Sequence, residues 1–308
     1  MKGTLMVDSP VEARICPACL SDSIREHSPS RRTGHVFLQC RDCGLRYLRD
    51  RWSVEELAEA YDTDSATYDE WTKTVRVATV VASHDAILDR LSNLLGSGSH
   101  PRIFDVGAGD GGFLAQARDA GFQPAGNELS TGAIELAQER YGLTLHSGDL
   151  STLEESDAFD AVTLWCVLAH VPEGDVLIKD VIRILRPGGL AYLQTPRWSA
   201  MDRLGQITWD ITRGRWTRIL DRRLAIHHMF LHTERSVQAQ LKRLGLQPVS
   251  VVAAVRYSLV TDDYLRSLGV PPLLAKWLAR PIDLLMERNW FPRNVLDIIA
   301  RRPDEASR

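Results

Sequence analysis

Four cysteines near the start of the chain have the type and the spacing to bind a metal ion. They form two C-x2-C pairs, Cys16 with Cys19 and Cys40 with Cys43, and 20 residues separate the pairs. This spacing is typical of a tetrahedral zinc site with four thiolate ligands. A closed four-thiolate shell leaves no open position for a substrate, so we predict that the Zn2+ is structural.

Two disulfides are the alternative interpretation of the same cysteines. The first residues include Lys2, Asp8, Glu12 and Arg14 with no apolar run between them, and this pattern predicts no signal peptide. Disulfides are rare in the cytosol, so the expected cytoplasmic location favours zinc. The fifth cysteine, Cys166, lies in an apolar segment and is expected to be a buried side chain rather than a nucleophile.

A glycine-rich stretch is the second place where the residues could do chemistry. Asp105 precedes Gly107, Gly109 and Gly111, which let the backbone turn tightly and approach a ligand closely. The helix that we predict from Gly111 onward offers free N–H groups and a positive dipole end. The glycine spacing also fits a dinucleotide site, with Glu128 about 20 residues later. However, the Asp105 carboxylate would repel a pyrophosphate, whereas it can accept hydrogen bonds from an ammonium group.

This stretch and four later segments resemble the motifs of the class I S-adenosylmethionine-dependent methyltransferases. The second strand ends in an acid, Glu128, and Gly148-Asp149-Leu150 follows the third strand. The fourth strand and its turn lie at 159–171, and Arg186-Pro187-Gly188-Gly189-Leu190 resembles the turn into the fifth strand. Five motifs in this order are far more specific than any one of them. The resemblance implies S-adenosylmethionine as cofactor, with Glu128 on the ribose hydroxyls and Asp149 near the adenine amino group. It implies cofactor contacts at Asp105, Gly107, Gly109, Gly111, Glu128, Leu129, Asp149, Leu150 and Trp165.

Strand and helix patterns alternate between residues 102 and 195, which predicts a doubly wound α/β fold. Together with the resemblance, this indicates a mostly parallel, seven-stranded, Rossmann-like methyltransferase sheet. The last two strands are predicted at 249–255 and 295–300, the second of them antiparallel and at the edge of the sheet. We predict helices at 112–120, 130–140 and 175–185.

The chain divides by pattern into three parts. We predict a zinc ribbon over 1–50, a helical connector or lid over 51–100, and a methyltransferase domain over 101–308. Two segments exceed the minimal fold, a helical cap insertion at 197–232 and a second insertion at 257–293. In the connector, Tyr61, Tyr68 and Trp71 can either fold over the cofactor or pack on the domain surface, and the sequence leaves both interpretations open.

The first insertion is rich in arginine and tryptophan. Residues 197–223 contain seven Arg and three Asp, with Trp198, Trp209 and Trp216 between them. Because the segment follows the fifth strand, we expect it to cover the carboxyl edge of the sheet. It would suit an anionic or ring-bearing small-molecule acceptor. A dimer contact or a cap with solvated arginines is the alternative. The second insertion is amphipathic, and packing on the cap or on a partner chain is favoured over contact with a membrane surface.

Histidines are the candidates for deprotonating a hydroxyl acceptor, since imidazole titrates near neutral pH. Their order of preference is His228, His170 and His227. The favoured activity is O-methylation of a sugar, a nucleotide sugar or glycan, or a secondary metabolite. An RNA methyltransferase, a carbon or nitrogen methyltransferase, a non-catalytic cofactor-binding protein and an NAD-dependent oxidoreductase are the alternatives. A net charge of −3 and a balanced charge mixture in the ribbon argue against nucleic acid.

Overall fold

The computed structural model describes residues 15–51, 53, 56, 59, 61–62, 64–72, 77–96, 100–224, 228–256, 260–267, 269–288, 290 and 292–304. His227 lies outside these residues. The strands are β1 (Ile24–Glu26), β2 (Phe37–Cys40), β3 (Arg46–Leu48), β4 (Arg102–Val106), β5 (Gln123–Glu128), β6 (His146–Ser147), β7 (Phe159–Trp165), β8 (Leu185–Pro196), β9 (Phe230–Leu231), β10 (Gln247–Ala254) and β11 (Val295–Arg301).

The described helices lie between and after these strands. They are α1 (Ser65–Thr72), α2 (Val77–Leu95), α3 (Gly112–Asp119), α4 (Thr131–Tyr141), α5 (Gly174–Ile184), α6 (Ala200–Thr212), α7 (Arg218–Arg223), α8 (Glu234–Leu244), α9 (Thr261–Ser267) and α10 (Pro272–Glu287). The three helices predicted between 112 and 185 are present within one or two residues of their expected bounds. Local signals set these ends: Ser130 caps the first turn of α4, and Gly142 ends it in the left-handed conformation.

Seven strands form the main sheet, in the order β10-β11-β8-β7-β4-β5-β6. β4 to β8 pair in parallel, whereas β11 is antiparallel to both of its neighbours. This confirms the predicted doubly wound, mostly parallel seven-stranded α/β sheet. The turn expected at 186–189 is instead part of β8, which begins at Leu185 and contains Gly188 at a φ of 76°.

The position predicted for the last strand is wrong. β11 lies between β8 and β10, and β10 is the edge strand. The reason is burial: every residue of β11 from Val295 to Ala300 is buried, so this strand needs a neighbour on each side. In β10, by contrast, Val249 and Val252 are 45% and 46% exposed, and among the described strands this one has a neighbour on one side only.

A second sheet joins the N-terminal ribbon to the first insertion. Its order is β1-β2-β3-β9, where β1 to β3 come from the ribbon and β9 comes from the end of the insertion. One apolar core fills this unit. It contains ribbon residues such as Phe37, Leu45 and Tyr47 together with Trp198 and Trp209. The ribbon and the insertion therefore bury their apolar faces against each other.

This packing corrects the expected role of two tryptophans. Trp198 and Trp209 are only 6% and 2% exposed, so neither offers a ring to an acceptor. Arg46 of the ribbon stacks on Trp198 at 4.0 Å, and the Trp209 indole N–H donates to the Ser28 carbonyl. Trp216 remains 44% exposed. Both buried tryptophans serve the ribbon interface because their large apolar area is needed to complete a core that the short ribbon cannot build alone.

The second insertion contains the helices α9 and α10, which pack against each other. Several large apolar side chains on it face solvent, among them Leu273, Trp277 and Trp290, which are 88%, 72% and 72% exposed. Among the described residues, no helix combines the length and the apolar character needed to cross a bilayer.

Candidate functional site

The glycine turn after β4 adopts a backbone that other residues would resist. Gly107, Gly109 and Gly111 have φ values of 67°, 57° and 79°. A Cβ on Gly109 would lie 2.4 Å from the hydroxyl of Tyr68, which closes over the turn from the connector. The turn is therefore both left-handed and closely covered, so glycine is needed here for conformation and for space.

Glu128 ties this turn to the end of β5. Its buried carboxylate accepts a hydrogen bond from Gly109 N at 2.8 Å through Oε2. Its Oε1 accepts from the backbone N–H groups of Leu129 at 2.7 Å and Ser130 at 3.0 Å. The carboxylate predicted to bind ribose hydroxyls thus lies at the junction of the glycine turn and α4. The cofactor role of Glu128 and Leu129 stays a prediction.

Asp105 lies beneath the same turn. Its side chain is buried, and its Oδ1 accepts a hydrogen bond from the Thr163 hydroxyl at 2.6 Å. Burial raises the pKa of the Asp105 carboxyl to about 8, although the hydrogen bond from Thr163 acts in the opposite direction. A carboxyl with this pKa becomes ionised when a cation approaches it. Thr163 was not singled out from the sequence, and an internal strand residue gave no signal of this role.

The remaining predicted cofactor residues lie along the same edge. Asp149 is exposed and its side chain caps the short 3-10 turn at 150–152, accepting from Ser151 N at 2.8 Å. The Leu150 side chain is buried in the main core. Trp165 ends β7, and its ring contacts Phe113 on α3 at a centroid distance of 5.2 Å. We refer to residues 105–111, Glu128 and Asp149 as the glycine side.

Two tyrosines of the connector reach this edge, which supports the first of the two interpretations offered for them. Tyr68 covers Gly109, and the Tyr61 hydroxyl lies 2.8 Å from His170 Nδ1. Polar contacts hold the connector in place: the Thr131 hydroxyl donates to Asp62 at 2.9 Å, and Arg140 pairs with Asp69. Aromatic residues in a polar segment were the sequence signal for this arrangement.

A cluster of polar side chains forms beside the glycine side, and we call Tyr61, Cys166, His170 and His228 the histidine side. The rings of His170 and His228 are 4.7 Å apart, so the structure brings together two of the three predicted histidines. Cys166 Sγ lies 3.4 Å from His228 Nε2. Burial raises the pKa of the Cys166 thiol to about 12 and that of Tyr61 to about 12, so both groups stay protonated and neutral.

Backbone geometry at the end of β7 positions this cluster. Cys166 has a φ of 66°, which is uncommon for a residue other than glycine and turns the chain sharply out of the strand. The next residues form a 3-10 turn over Val167–Ala169, which presents His170. Cys166 was expected to be a buried apolar residue, and its contact with His228 could not be predicted because 61 residues separate the two.

The four ribbon cysteines meet in space as predicted. Their sulfur atoms lie within 4.8 Å of one another, with Cys16 to Cys43 at 3.5 Å and Cys19 to Cys40 at 3.6 Å. Zn–S bonds of about 2.3 Å in a tetrahedron would place the sulfurs about 3.8 Å apart, so this arrangement fits a zinc ion. Gly44 follows the second knuckle at a φ of 79°. All four cysteines have free thiols in the structure, so no disulfide is formed.

Comparison with known proteins agrees with this geometry. A family profile described as "Methyltransferase domain" matches residues 81–251, which is more than half of the chain. The demethylmenaquinone methyltransferase of Beutenbergia cavernae is 32% identical over 115 residues, 36% of this chain and 48% of that protein. Methyltransferase GfsG of Streptomyces halstedii is 28% identical over 173 residues, 52% of this chain and 60% of that protein. The chain thus spans about half the length of the curated relatives it matches.

Solved structures share the fold at low sequence identity. Phosphoethanolamine N-methyltransferase 2 of Haemonchus contortus has a TM-score of 0.51 and 18% identity, covering 73% of this chain and 53% of that chain. The YcgJ protein of Bacillus subtilis has a TM-score of 0.50 and 17% identity, covering 72% of this chain and 99% of that chain. Together with the matched profile and the ordered motifs on the sheet edge, these findings show that the chain belongs to the methyltransferase-domain family.

Proposed function

We propose that this protein transfers a methyl group from S-adenosylmethionine to a hydroxyl group of a small molecule. The observation that carries the proposal is the adjacency of two sites on one sheet edge. A Cβ on Gly107 of the glycine side would lie 3.1 Å from the side chain of Val167, in the turn that presents His170. The histidine side has two imidazoles 4.7 Å apart, and the glycine side has a turn and acids that suit the cofactor. When bound, S-adenosylmethionine supplies a methyl group that its sulfonium has already activated.

Residues of the glycine side bind and orient the cofactor in this proposal. The glycine turn offers backbone N–H groups and close approach, and the Asp105 carboxyl beneath it attracts the ammonium group. In this proposal Glu128 exchanges part of its backbone hydrogen bonding for the ribose hydroxyls, and Asp149 binds the adenine amino group. Tyr68, which covers Gly109, keeps water from this part of the site.

Residues of the histidine side bind the acceptor and take its proton. His228 or His170 would accept the proton of the acceptor hydroxyl, since a neutral imidazole is a suitable base near pH 7. The Tyr61 hydroxyl, bonded to His170 Nδ1 at 2.8 Å, sets the orientation of that ring. His227 stays a third candidate from the sequence. The Cys166 thiol lies 3.4 Å from His228 Nε2 and, because burial keeps it protonated, it is not a nucleophile.

Relatives support a small-molecule acceptor. Those matched include a demethylmenaquinone methyltransferase and the ubiquinone biosynthesis O-methyltransferase of Xanthomonas oryzae, which is 30% identical over 102 residues. The first name refers to demethylmenaquinone, and the second refers to ubiquinone biosynthesis and to methylation at oxygen. We propose a sugar, nucleotide-sugar or glycan hydroxyl and a secondary-metabolite hydroxyl as the first acceptors to test, with quinols beside them. Zinc in the ribbon and S-adenosylmethionine at the glycine side are the proposed metal and cofactor.

The test is methyl transfer by the purified full chain. The protein is incubated with methyl-labelled S-adenosylmethionine and a panel of hydroxylated sugars, nucleotide sugars, quinols and polyketides, and S-adenosylhomocysteine formation is measured. Calorimetry with S-adenosylhomocysteine and with NAD is run in parallel. We expect binding of the first ligand only and label transfer to one acceptor class. Binding of NAD instead, or label transfer only to RNA, would overturn the proposal.

A further inference from the structure

The ribbon and the histidine side are connected by one short segment, residues 228–233. His228 begins this segment, β9 continues it, and Thr233 ends it. β9 pairs antiparallel with β3 of the ribbon, with Tyr47 opposite Phe230 and Arg46 opposite Leu231. His228 is therefore joined to a strand of the ribbon sheet through the single residue Met229.

Met229 connects the two regions through its backbone. Its N–H donates to the Ala169 carbonyl at 2.8 Å, and Ala169 directly precedes His170. Its carbonyl accepts from Leu48 N of the ribbon at 3.0 Å. Met229 thus forms one hydrogen bond to the turn that presents His170 and another to the edge of the ribbon sheet. Displacing the ribbon strand would move Met229, and with it the adjacent His228.

Thr233 connects the far end of the segment to the metal knuckle. Its hydroxyl donates to the carbonyl of Cys43 at 2.6 Å. The same oxygen accepts from Ser236 N and caps α8. The methyl group of Thr233 also lies near Gly44, where an added Cβ would approach it to 3.1 Å. A zinc ligand, a helix of the methyltransferase domain and the end of the segment therefore meet at one side chain.

The apolar core of the ribbon includes this segment. Cys16, Cys40 and Cys43 belong to the same buried cluster as Met229 and Leu231. A module of about 50 residues buries too little apolar area to be stable without help, so the metal supplies much of its folding free energy. Whatever orders the four cysteines consequently orders the surroundings of Met229.

We propose that the zinc ribbon is a positioning element of the histidine side: metal binding at the four cysteines holds residues 228–233 in register and thereby sets His228 beside His170. Thr233 is the positioning residue that transmits the order of the Cys43 knuckle. The inference rests on the proposed function, because it assigns to His228 a place at the acceptor. Within the described residues, this segment is the shortest covalent path from the ribbon sheet to either histidine.

The experiment compares two substitutions of Thr233 in the full-length, metal-loaded protein. Asp at this position can still cap α8, since Asp is a good N-cap residue, but it cannot donate to the Cys43 carbonyl. Thr233→Ser keeps both bonds and is the matched control. Hydrogen–deuterium exchange is followed by mass spectrometry in peptides that cover 228–233 and 45–50, with the β4 peptide at 102–106 as internal reference.

We expect the Thr233→Asp protein to exchange about tenfold faster in the two test peptides, because a buried carbonyl loses its donor. The Thr233→Ser protein should stay within about twofold of the wild type, a change well below the loss of one such hydrogen bond. The reference peptide should not change in either variant. The proposal would be overturned if the Thr233→Asp protein retained its zinc and its 228–233 peptide exchanged at the same rate as in the wild type.

Removal of the metal is the second arm. Zinc content is measured before and after dialysis against a chelator, and exchange is followed in the same peptides. We expect one equivalent of zinc at the start and loss of protection at 228–233 after its removal. The affinity for S-adenosylhomocysteine should change less than about threefold, a difference of less than 1 kcal/mol. Zinc-free protein as purified, or protection that survives metal removal, would overturn the inference. Absence of methyl transfer to every acceptor would instead count against the proposed function alone.

Discussion

The glycine side and the histidine side differ in how much of the chain is needed to build them. Residues 105–149 supply the glycine side, and its hydrogen bonds are largely to backbone groups, as between Glu128 and Gly109 N. The histidine side collects Tyr61 from the connector, Cys166 and His170 from the end of β7, and His228 from the first insertion. Its members are up to 167 positions apart in the sequence.

This difference indicates where the two sides can change. A turn defined by backbone conformation binds the same ligand whatever side chains surround it, provided that its glycines remain. A cluster assembled from several distant segments changes whenever any of these segments shifts. The proposed cofactor site therefore depends mainly on its glycines, whereas the proposed acceptor site is the part that insertions such as 197–232 can reshape.

The largest effect is expected from the histidine pair. Replacing both His170 and His228 by Asn should reduce kcat by about 10²–10⁴-fold, because a general base contributes about that much. The affinity for S-adenosylhomocysteine should stay the same, since the cofactor contacts lie on the glycine side. Steady-state kinetics and calorimetry measure the two quantities. Full turnover in the double variant would show that the acceptor loses its proton elsewhere.

A substitution on the glycine side should have the opposite signature. Gly109→Ala puts a Cβ 2.4 Å from the Tyr68 hydroxyl at a φ of 57°, and strain of this kind costs about 1–3 kcal/mol. We expect cofactor affinity to fall by about 10–100-fold, the equivalent of that strain. Gly142→Ala is the matched control, because Gly142 has a φ of 65° and nothing within 4 Å of an added Cβ. Equal cofactor affinity in the two variants would contradict the role of the turn.

The pH dependence of stability tests Asp105. Because burial raises the pKa of this carboxyl to about 8, the native state binds one proton more than the unfolded state between about pH 4 and pH 8. Stability of the cofactor-free protein should therefore decrease as the pH rises through this window, by up to about 1.4 kcal/mol per pH unit from this group.

Asp105→Asn removes this contribution. The difference in free energy of unfolding between the variant and the wild type should therefore increase in favour of the variant between pH 5 and pH 8. Urea unfolding at both pH values measures the difference. The same variant should bind S-adenosylmethionine about tenfold more weakly, because the charge that attracts the ammonium is lost. If the free energy of unfolding of the variant depended on pH as strongly as that of the wild type, Asp105 would not be the source of this dependence.

The smallest effect is expected from Tyr61. Tyr61→Phe removes the hydroxyl bonded to His170 Nδ1 and keeps the ring that packs edge-on against the histidine at 5.9 Å. We expect kcat to fall about three- to tenfold, the size of one lost hydrogen bond, with unchanged cofactor affinity. The pH profile of kcat should shift, since the histidine loses a polar partner. An unchanged kcat and pH profile would limit Tyr61 to a packing role.

Motifs confined to a few consecutive residues could be predicted from the sequence alone. The two cysteine knuckles, the glycine turn and the alternating strands and helices are encoded in short windows, where residue type and spacing determine the backbone. The seven-stranded sheet, the approach of the four sulfur atoms and membership of the methyltransferase-domain family follow from such windows.

Only the tertiary structure decided which distant residues meet. The sequence predicted that the segment with Trp198 and Trp209 covers the sheet edge and suits an acceptor, whereas the structure buries both rings in the ribbon core. In the same way, the sequence proposed His170 and His228 separately, and the pairing of β9 with β3 and the contacts of Met229 bring them together. The physical reason is that burial of apolar area is non-directional. A local pattern determines how much surface a segment buries, whereas the fold of the whole chain determines which surface it packs against.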